Sequence, residues 1–326
     1  MNIVFHDTNA GSFAEGFAAL LDGPHRIDLL PDPMITDAER ARYAEADAIL
    51  GVRFDAGLPL PPKLRLYQVV GAGYDQIDQS ALPKAATLCN VFEHEHAIAE
   101  YTMAALLLHT INLPRADADL RRGAWTYWAG LDGNAHGELR GRTLGLLGYG
   151  HIGRETAIRA RAFGMRIHVC NRSAPDMAGV DRAWGLDRLD EFMGSADFIL
   201  ASLPLLPDTR GIVGASALAA MRPDGVILNV GRGGVIDEAA LFGALSARRI
   251  GGAVIDTWYR YPTAAGQLSD PGTLPFHHLD NIVMTPHMSG WTTGTISRRQ
   301  RTMAENINRL ARGEALRNVV RPGETA

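Results

Sequence analysis

Residues 144–153 read LGLLGYGHIG, an apolar strand that runs into the pattern Gly-x-Gly-x-x-Gly. Gly148 permits the tight turn, Gly150 lets a phosphate approach the backbone, and Gly153 lets the next helix pack closely on the strand. The N-terminus of that helix attracts negative charge, and a second apolar strand follows at 166–170. We therefore predict that a dinucleotide binds the turn formed by Gly148, Tyr149, Gly150, His151, Ile152 and Gly153.

The residues after the second strand indicate which dinucleotide fits. Where an acid usually binds the ribose 2′-hydroxyl, this chain has Asn171, followed by Arg172 and Ser173. An acid would repel a 2′-phosphate, whereas an arginine forms charge-assisted hydrogen bonds with it. We expect these three residues to bind NADP(H) in preference to NAD(H), with NAD(H) possible. The alternative is an Arg172 that is solvated or stacks on adenine.

Strands and helices alternate along most of the chain, which predicts an α/β fold with parallel sheets. Helices are predicted at 11–21, 36–45, 97–112 and 294–312. Buried strands in the first 90 residues are predicted at 3–5, 27–30, 48–52 and 67–70. A second series of six strands is predicted at 143–147, 166–170, 198–202, 226–230, 253–256 and 282–285. Six strands in such a series match a doubly wound dinucleotide fold.

The composition excludes several classes of protein. The chain has 326 residues, 46% of them hydrophobic and 21% charged, so it can bury a large core, and about 150 residues per domain predicts two domains. A net charge of −4 without a basic tract argues against nucleic acid as a partner. Two cysteines suit a reducing compartment, and the most apolar stretch, 97–113, is too short and too polar to span a bilayer. We expect a cytoplasmic protein with no membrane segment and no targeting signal.

Further motifs lie on both sides of the glycine turn. They are GAGYDQID at 71–78, GELRGRTLG at 137–145, LPLLPDT at 203–209, MRPDG at 221–225, NVGRGG at 229–234 and TPH at 285–287. In this order they resemble the D-isomer-specific 2-hydroxyacid dehydrogenase family, and within it the glyoxylate and hydroxypyruvate reductases. The chain would then transfer a hydride between NADP(H) and a small 2-keto or 2-hydroxy acid.

The resemblance implies a specific domain organisation. A doubly wound parallel-sheet Rossmann coenzyme domain, 97–289, is inserted into a smaller flavodoxin-like α/β substrate domain built from 1–96 and 290–326. It also implies a homodimer formed through the coenzyme domain, with the segment after Ala97 as the contact arm. We expect three aromatic side chains to lie at that interface, namely Trp125, Tyr127 and Trp128. The alternative is that they cap an active site.

The resemblance extends the coenzyme site beyond the glycine turn. Asp256, at the end of a strand, corresponds to the aspartate that contacts the nicotinamide amide. The other coenzyme contacts that it implies are Leu203, Pro204, Thr209, Val230, Gly231, Ser289 and Gly290.

Residues from several motifs have the chemistry that reduction of a 2-keto acid requires. The planar guanidinium of Arg232 can bind the substrate carboxylate and polarise the keto oxygen. His287 can exchange a proton near neutral pH. The backbone N–H groups of Ala72 and Gly73 can bind the carboxylate as a nest. Arg53 could add positive charge near the substrate, although a solvated surface position explains it equally well.

One position departs from the family pattern. The family usually carries a glutamate that hydrogen-bonds the catalytic histidine, and that position corresponds to Tyr261. A neutral phenol does not stabilise imidazolium as a carboxylate does, so we expect a less basic histidine with Tyr261 as its neighbour. Alternatively, another acid serves as the partner, with the candidates Asp270, Asp280, Glu93 and Glu95.

The missing glutamate leaves two alternative functions open. Formate dehydrogenases resemble this chain locally and also lack the glutamate, because formate oxidation needs no proton transfer. A dinucleotide-sensing binding protein with little turnover is the other alternative. The run from Glu93 to His96 has metal-ligand composition, but its adjacent residues do not share a helical face, so no metal is expected.

Overall fold

The computed structural model of the protein describes residues 1–262 and 267–324. In chain order, the strands are β1 Asn2–His6, β2 Arg26–Leu30, β3 Ala48–Gly51, β4 Leu66–Val69, β5 Thr87–Cys89, β6 Thr143–Leu147, β7 Arg166–Cys170, β8 Arg182–Trp184, β9 Phe198–Ala201, β10 Val226–Asn229, β11 Gly252–Ile255, β12 Ile282–Met284 and β13 Val319–Arg321. The α-helices are α1 Thr8–Gly11, α2 Asp37–Ala44, α3 Glu95–Ile111, α4 Leu113–Arg121, α5 His151–Ala162, α6 Leu189–Met193, α7 Ala215–Ala220, α8 Glu238–Ser246 and α9 Thr293–Arg312.

The chain divides into two compact lobes. The terminal lobe contains both chain ends, Met1–Glu93 and Thr292–Ala326. The central lobe is the continuous segment His94–Trp291. Each lobe has its own parallel sheet and its own apolar core.

The central lobe contains a seven-stranded sheet in the order β12-β11-β10-β9-β6-β7-β8. Every strand pair in it is parallel. Apolar side chains fill both faces, because Leu144 and Leu146 of β6 pack into one core and Leu147 into the other. From β8 to β11 the order is that of a doubly wound fold, which confirms the predicted Rossmann architecture. Strand order reverses between β6 and β9, and ligands bind beyond the carboxyl ends of strands at such a point.

The terminal lobe has a six-stranded sheet in the order β13-β5-β4-β3-β1-β2. Strands β1 to β5 are parallel in the flavodoxin-like order, and β13 pairs antiparallel with β5. Helix α9 belongs to this lobe, where Met303 and Ile307 join Ile3 and Phe5 in one core. The helix ends at Gly313, whose φ of 71° is the left-handed conformation that glycine adopts most easily.

The prediction of a helix at 11–21 was wrong. The chain there forms only α1 and a 3-10 turn at Phe17–Leu20, which begins after Gly16 with φ of 74°. A left-handed residue cannot continue a right-handed helix, so Gly16 interrupts the apolar periodicity that predicted it. The helix predicted at 36–45 is confirmed, with the Thr36–Glu39 capping box in place.

Several short elements were not predicted. Strands β5, β8 and β13 have three residues each, too few for a periodic pattern. Helix α4 follows α3 directly and was not predicted. Pro114 lies in its first turn, where proline is tolerated. No helix in the described ranges has the length and apolar character needed to span a membrane.

Candidate active site

The glycine turn connects β6 to α5 as the sequence predicts. Gly148 has φ of 98°, and a Cβ on Gly153 would lie 2.5 Å from the Gly148 carbonyl oxygen, so both positions require glycine. Gly150 is the N-cap of α5 and provides no side-chain cap. A Cβ on Gly150 would meet no heavy atom within 4 Å in the described structure. The amino end of α5 is therefore open to an anion.

The loop after β7 contains the residues predicted to select the coenzyme. The Asn171 side chain accepts from the Tyr149 amide at 3.4 Å and donates to the Ser173 carbonyl at 3.0 Å, so it shapes this loop. Arg172 is exposed, and within the described residues its guanidinium has no hydrogen-bond or ion-pair partner. Its charge is therefore available to a phosphate.

The loop after β9 packs against two glycines. A Cβ on Gly148 would lie 3.3 Å from the Leu203 amide nitrogen, and one on Gly231 would lie 2.7 Å from the Leu203 carbonyl oxygen. The buried Thr209 hydroxyl donates to the Pro204 carbonyl at 2.7 Å and accepts from the Leu206 amide at 2.8 Å. Thr209, expected at the coenzyme, thus uses its side chain to hold its own loop, while Leu203 lies beside the glycine turn.

Arg232 lies in the turn that follows β10, immediately after Val230 and Gly231. The buried Asn229 fixes this turn, because its amide donates to the Arg232 carbonyl at 3.1 Å and accepts from the Gly231 amide at 3.1 Å. The Arg232 guanidinium donates to the Gly231 carbonyl at 3.0 Å and is half-buried. Its position is therefore set by the backbone at the carboxyl end of a central strand.

The Arg232 turn packs directly on the loop that follows β11. A Cβ on Gly233 would lie 2.2 Å from the Trp258 carbonyl oxygen, so a larger residue would displace this loop. The Trp258 ring N–H donates to the Thr285 carbonyl at 2.8 Å, which links the same loop to the segment after β12. The loops that follow the carboxyl ends of β10, β11 and β12 are thus fixed to one another.

His287 has a strained backbone that Asp256 holds in place. Its φ is 56°, a left-handed conformation uncommon outside glycine. One oxygen of the buried Asp256 carboxylate accepts from the Met288 amide at 2.9 Å, and the other accepts from the Ser289 amide at 3.0 Å. The first oxygen also accepts from the Thr285 hydroxyl at 2.6 Å. Asp256, predicted to contact the nicotinamide, therefore also fixes the turn that carries the histidine.

The structure places Tyr261 beside His287. The Tyr261 hydroxyl lies 3.0 Å from Nδ1 of His287 and accepts the Trp258 backbone N–H at 3.1 Å. The two rings are 5.6 Å apart between centroids. The phenol thus occupies the position of a hydrogen-bond partner for the imidazole.

Three of the four carboxylates considered as alternative partners have other contacts. Asp280 pairs with Arg248 at 2.8 Å. Glu93 belongs to the terminal lobe, where it contacts Thr302 at 3.3 Å and Arg298 at 3.8 Å. Glu95 lies 3.7 Å from the ring of His94, at the start of α3, and Asp270 is exposed.

In the terminal lobe, Ala72 and Gly73 form a half-buried loop after β4. The Asn90 side chain donates to the Ala72 carbonyl at 2.8 Å and so fixes the loop. Neither the Ala72 nor the Gly73 backbone N–H donates a hydrogen bond within the described residues. Two adjacent unused amides leave donors available to an anion.

Arg53 is held by carboxylates of its own lobe. Its guanidinium pairs with Asp32 at 2.8 Å and with Asp55 at 2.7 Å. The hydrogen bond to Asp55 raises the pKa of Arg53 and lowers that of the carboxyl. Because two carboxylates neutralise the guanidinium, the geometry favours a structural role over the suggested contact with substrate.

The run from Glu93 to His96 crosses the start of α3, and His94, Glu95 and His96 have separate contacts. His96 lies 2.9 Å from Glu155 of α5, which also binds Arg159 at 2.6 Å. Among the described residues, no group of three or more histidine, cysteine, aspartate or glutamate side chains has a metal-binding arrangement.

Sequence reasoning missed the residues that hold the site together. Asn229, Asn90, Trp258 and Thr285 all lie at or just after strand ends, and Tyr101 donates to or accepts from the Thr285 hydroxyl at 2.7 Å. Their position after strands was the one signal available, because polar groups at carboxyl ends of parallel strands converge on the ligand edge.

Residues 103–289 match the family described as "D-isomer specific 2-hydroxyacid dehydrogenase, NAD binding domain", more than half of the chain. The chain belongs to the D-isomer specific 2-hydroxyacid dehydrogenase family. This confirms the resemblance and an NAD(P) coenzyme. The open amino end of α5 and the available Arg172 fit such a dinucleotide.

Similar proteins include D-3-phosphoglycerate dehydrogenases and solved dehydrogenases of the family. The enzyme of Methanocaldococcus jannaschii is 35% identical over 79% of this chain and 48% of its own. That of Mycobacterium tuberculosis H37Rv is 31% identical over 93% of this chain and 54% of its own, so the chain spans about half the length of these relatives.

Two solved structures resemble the whole chain. The 2-hydroxyacid dehydrogenase of Ketogulonicigenium vulgare Y25 is 25% identical, with a TM-score of 0.82, and covers 99% of this chain and 98% of its own. A family member from Xanthobacter autotrophicus Py2, solved with NADPH and MES, is 25% identical with a TM-score of 0.78, and covers 98% of both chains.

Proposed function

We propose that the chain is an NADP(H)-preferring reductase of a small 2-keto acid such as glyoxylate or hydroxypyruvate. The observation that carries the proposal is the fixed arrangement of the Arg232 turn, the Trp258 loop and the His287 turn at one edge of the central sheet. A guanidinium and an imidazole on loops that pack against a common third loop suit a substrate with a carboxylate next to a carbonyl.

Each residue has a separate role in this reduction. The coenzyme, when bound, supplies the hydride that reaches the carbonyl carbon. Arg232 binds the carboxylate and polarises the keto oxygen. Ala72 and Gly73, in the terminal lobe, keep the substrate-binding role that their sequence motif suggests. Nε2 of His287 gives the proton to the oxygen as the hydride adds to the carbon. The coenzyme roles of Val230, Ser289 and Gly290 remain part of this proposal.

A steady-state screen tests this function. NADPH and NADH oxidation would be followed with glyoxylate, hydroxypyruvate, pyruvate, longer 2-keto acids and a phosphorylated 2-keto acid, and formate oxidation would be followed in parallel. We expect turnover with a small 2-keto acid and NADPH. No turnover with any acid despite tight coenzyme binding would reject the reductase and favour a dinucleotide-sensing protein.

The phosphorylated acid belongs in the screen for a specific reason. The D-3-phosphoglycerate dehydrogenases are 35% and 31% identical to this chain, which makes a phosphorylated three-carbon acid the second candidate substrate. A kcat/KM highest for that acid would favour this candidate over glyoxylate and hydroxypyruvate.

The coenzyme preference rests on Arg172. The exposed guanidinium is available for a 2′-phosphate, and the Xanthobacter autotrophicus family member was solved with NADPH. We expect Arg172→Asp to lower kcat/KM with NADPH by about 10²-fold and to raise kcat/KM with NADH. The reason is that a charge-assisted contact with the 2′-phosphate becomes a repulsion. Steady-state kinetics with both coenzymes measure this change.

The matched control is Arg166→Asp, at the opposite end of β7, where the guanidinium donates to the Thr143 hydroxyl at 3.1 Å. This control should leave the ratio of kcat/KM with NADPH to kcat/KM with NADH unchanged. An unchanged ratio in Arg172→Asp as well would overturn the phosphate-binding role.

We also propose a homodimer formed through the central lobe. Large apolar side chains on α4 and the segment after it are exposed, Leu113 by 57%, Trp125 by 64% and Trp128 by 60%. Such a concentration of apolar surface is typical of an interface. Sedimentation should give twice the 35.2 kDa chain mass, and Trp125→Glu should give the monomer. Ile35→Glu, an isolated exposed position in the terminal lobe, is the control.

A further inference from the structure

The Tyr261 hydroxyl contacts both His287 and a backbone N–H, and the second contact favours one direction for the hydrogen bond to the imidazole. The Trp258 backbone N–H can only donate, and it points at the Tyr261 oxygen from 3.1 Å. That contact occupies one acceptor position of the phenol. A phenol that accepts one hydrogen bond can donate its proton in another, and Nδ1 of His287 lies 3.0 Å from the hydroxyl oxygen.

The backbone that carries the imidazole is held in place. It is fixed at φ of 56° by the Asp256 carboxylate, which accepts from the two amides that follow His287. Tyr261 is fixed in turn through the Trp258 loop, whose ring N–H binds the Thr285 carbonyl at 2.8 Å. The donor and the acceptor therefore belong to one network.

We propose that Tyr261 donates its hydroxyl proton to Nδ1 of His287 and so holds the neutral imidazole in the tautomer that carries its proton on Nε2. Tyr261 is a positioning residue in this inference, which rests on the proposed function for the use of His287 but concerns a property of the free protein. A glutamate at this position would do the reverse. A carboxylate can only accept, so it would place the proton on Nδ1 and leave Nε2 bare.

The tautomer determines which class of ligand the neutral ring binds. A protonated Nε2 donates to an oxygen that only accepts, such as the keto oxygen of a 2-keto acid. A bare Nε2 instead accepts from the hydroxyl of a 2-hydroxy acid. We infer that this chain is built to bind the keto form, and that its site is specific for the 2-keto acid at a pH where the imidazole is neutral.

Nitrogen NMR of the full-length protein tests the tautomer. With ¹⁵N-histidine labelling at about pH 8.5, where an ordinary imidazole is neutral, the protonated and bare ring nitrogens have separate shifts. His287→Asn identifies the His287 signals among the 11 histidines. We expect Nε2 protonated in the wild type, a mixture in Tyr261→Phe and Nδ1 protonated in Tyr261→Glu.

Two features keep this experiment interpretable. Tyr261 is 46% exposed, so loss of its hydroxyl leaves no buried cavity. Tyr259→Phe removes a hydroxyl two residues away, from a ring that stacks on Phe276, and should leave the His287 signals unchanged. A wild-type His287 protonated on Nδ1 would overturn the proposal, as would signals that Tyr261→Glu does not change.

Binding measurements at the same pH give a second readout. With NADP⁺ or NADPH bound, the ratio of affinities for a keto acid and its hydroxy acid should shift toward the hydroxy acid by about five- to tenfold in Tyr261→Glu. Tyr259→Phe should keep the wild-type ratio. If no keto acid reacts, the proposed reductase is rejected while the NMR result still stands. If a keto acid reacts but His287 is protonated on Nδ1, only this inference is rejected.

Discussion

Arg232→Gln should lower kcat/KM for reduction of a 2-keto acid by about 10³-fold and leave NADPH affinity unchanged. Glutamine keeps some hydrogen bonding but loses the charge and the planar pair of donors that match a carboxylate. Truncating one partner of such a charged pair typically costs about 2–5 kcal/mol. At about 1.4 kcal/mol for each power of ten, this lowers the rate by about 30- to 4,000-fold. Steady-state kinetics and fluorescence titration of NADPH measure the two quantities.

Arg222→Gln is the matched control for this substitution. Arg222 precedes β10 and pairs with Asp224 at 3.2 Å and Asp197 at 3.5 Å, at the opposite end of the strand from Arg232. The same chemical change there should affect kcat/KM by less than about twofold, since exposed ion pairs contribute little. Comparable losses in both variants would show that Arg232 acts through stability and not on substrate.

His287→Asn should reduce kcat by about 10²- to 10⁴-fold, because the proton donor to the keto oxygen is lost. Asparagine is the substitution of choice because it tolerates the left-handed backbone at φ of 56°, so the turn is preserved. A β-branched residue would add backbone strain to the loss of the imidazole. Rapid-mixing measurement of NADPH oxidation separates the chemical step from product release.

His278→Asn provides the corresponding control. His278 is exposed in a 3-10 turn before β12, and its change should leave kcat unaltered. Full activity of His287→Asn with a 2-keto acid would rule out the proton-donor role. Loss of keto-acid reduction together with full formate oxidation would favour the formate dehydrogenase alternative, because that reaction moves no proton.

The central sheet could be predicted because its signals are local. Strands β6, β9, β10 and β11 are continuous apolar runs that are fully buried, and the turn after β6 requires glycine at Gly148 and Gly153. Strands β8 and β13 were not predicted from the sequence. Each has three residues and depends on neighbouring strands for its extended form.

The sequence predicted the individual site residues that motifs identify, but not the contacts between them. Arg232, His287 and the glycine turn could be named from motifs, whereas the Tyr261 contact with Nδ1 depends on how two loops pack. Thr209 and Asp256 show the same limit. Their hydrogen bonds to nearby backbone depend on loop conformations that residue type does not specify.

The discontinuous make-up of the terminal lobe bears on how the protein folds during synthesis. Its core needs Met303 and Ile307 of α9, and β13 completes the edge of its sheet beside β5. Both elements leave the ribosome only after the whole of His94–Trp291 has been made. The first ninety residues therefore remain incompletely packed while the central lobe is synthesised. The central lobe can assemble its own seven strands during that time.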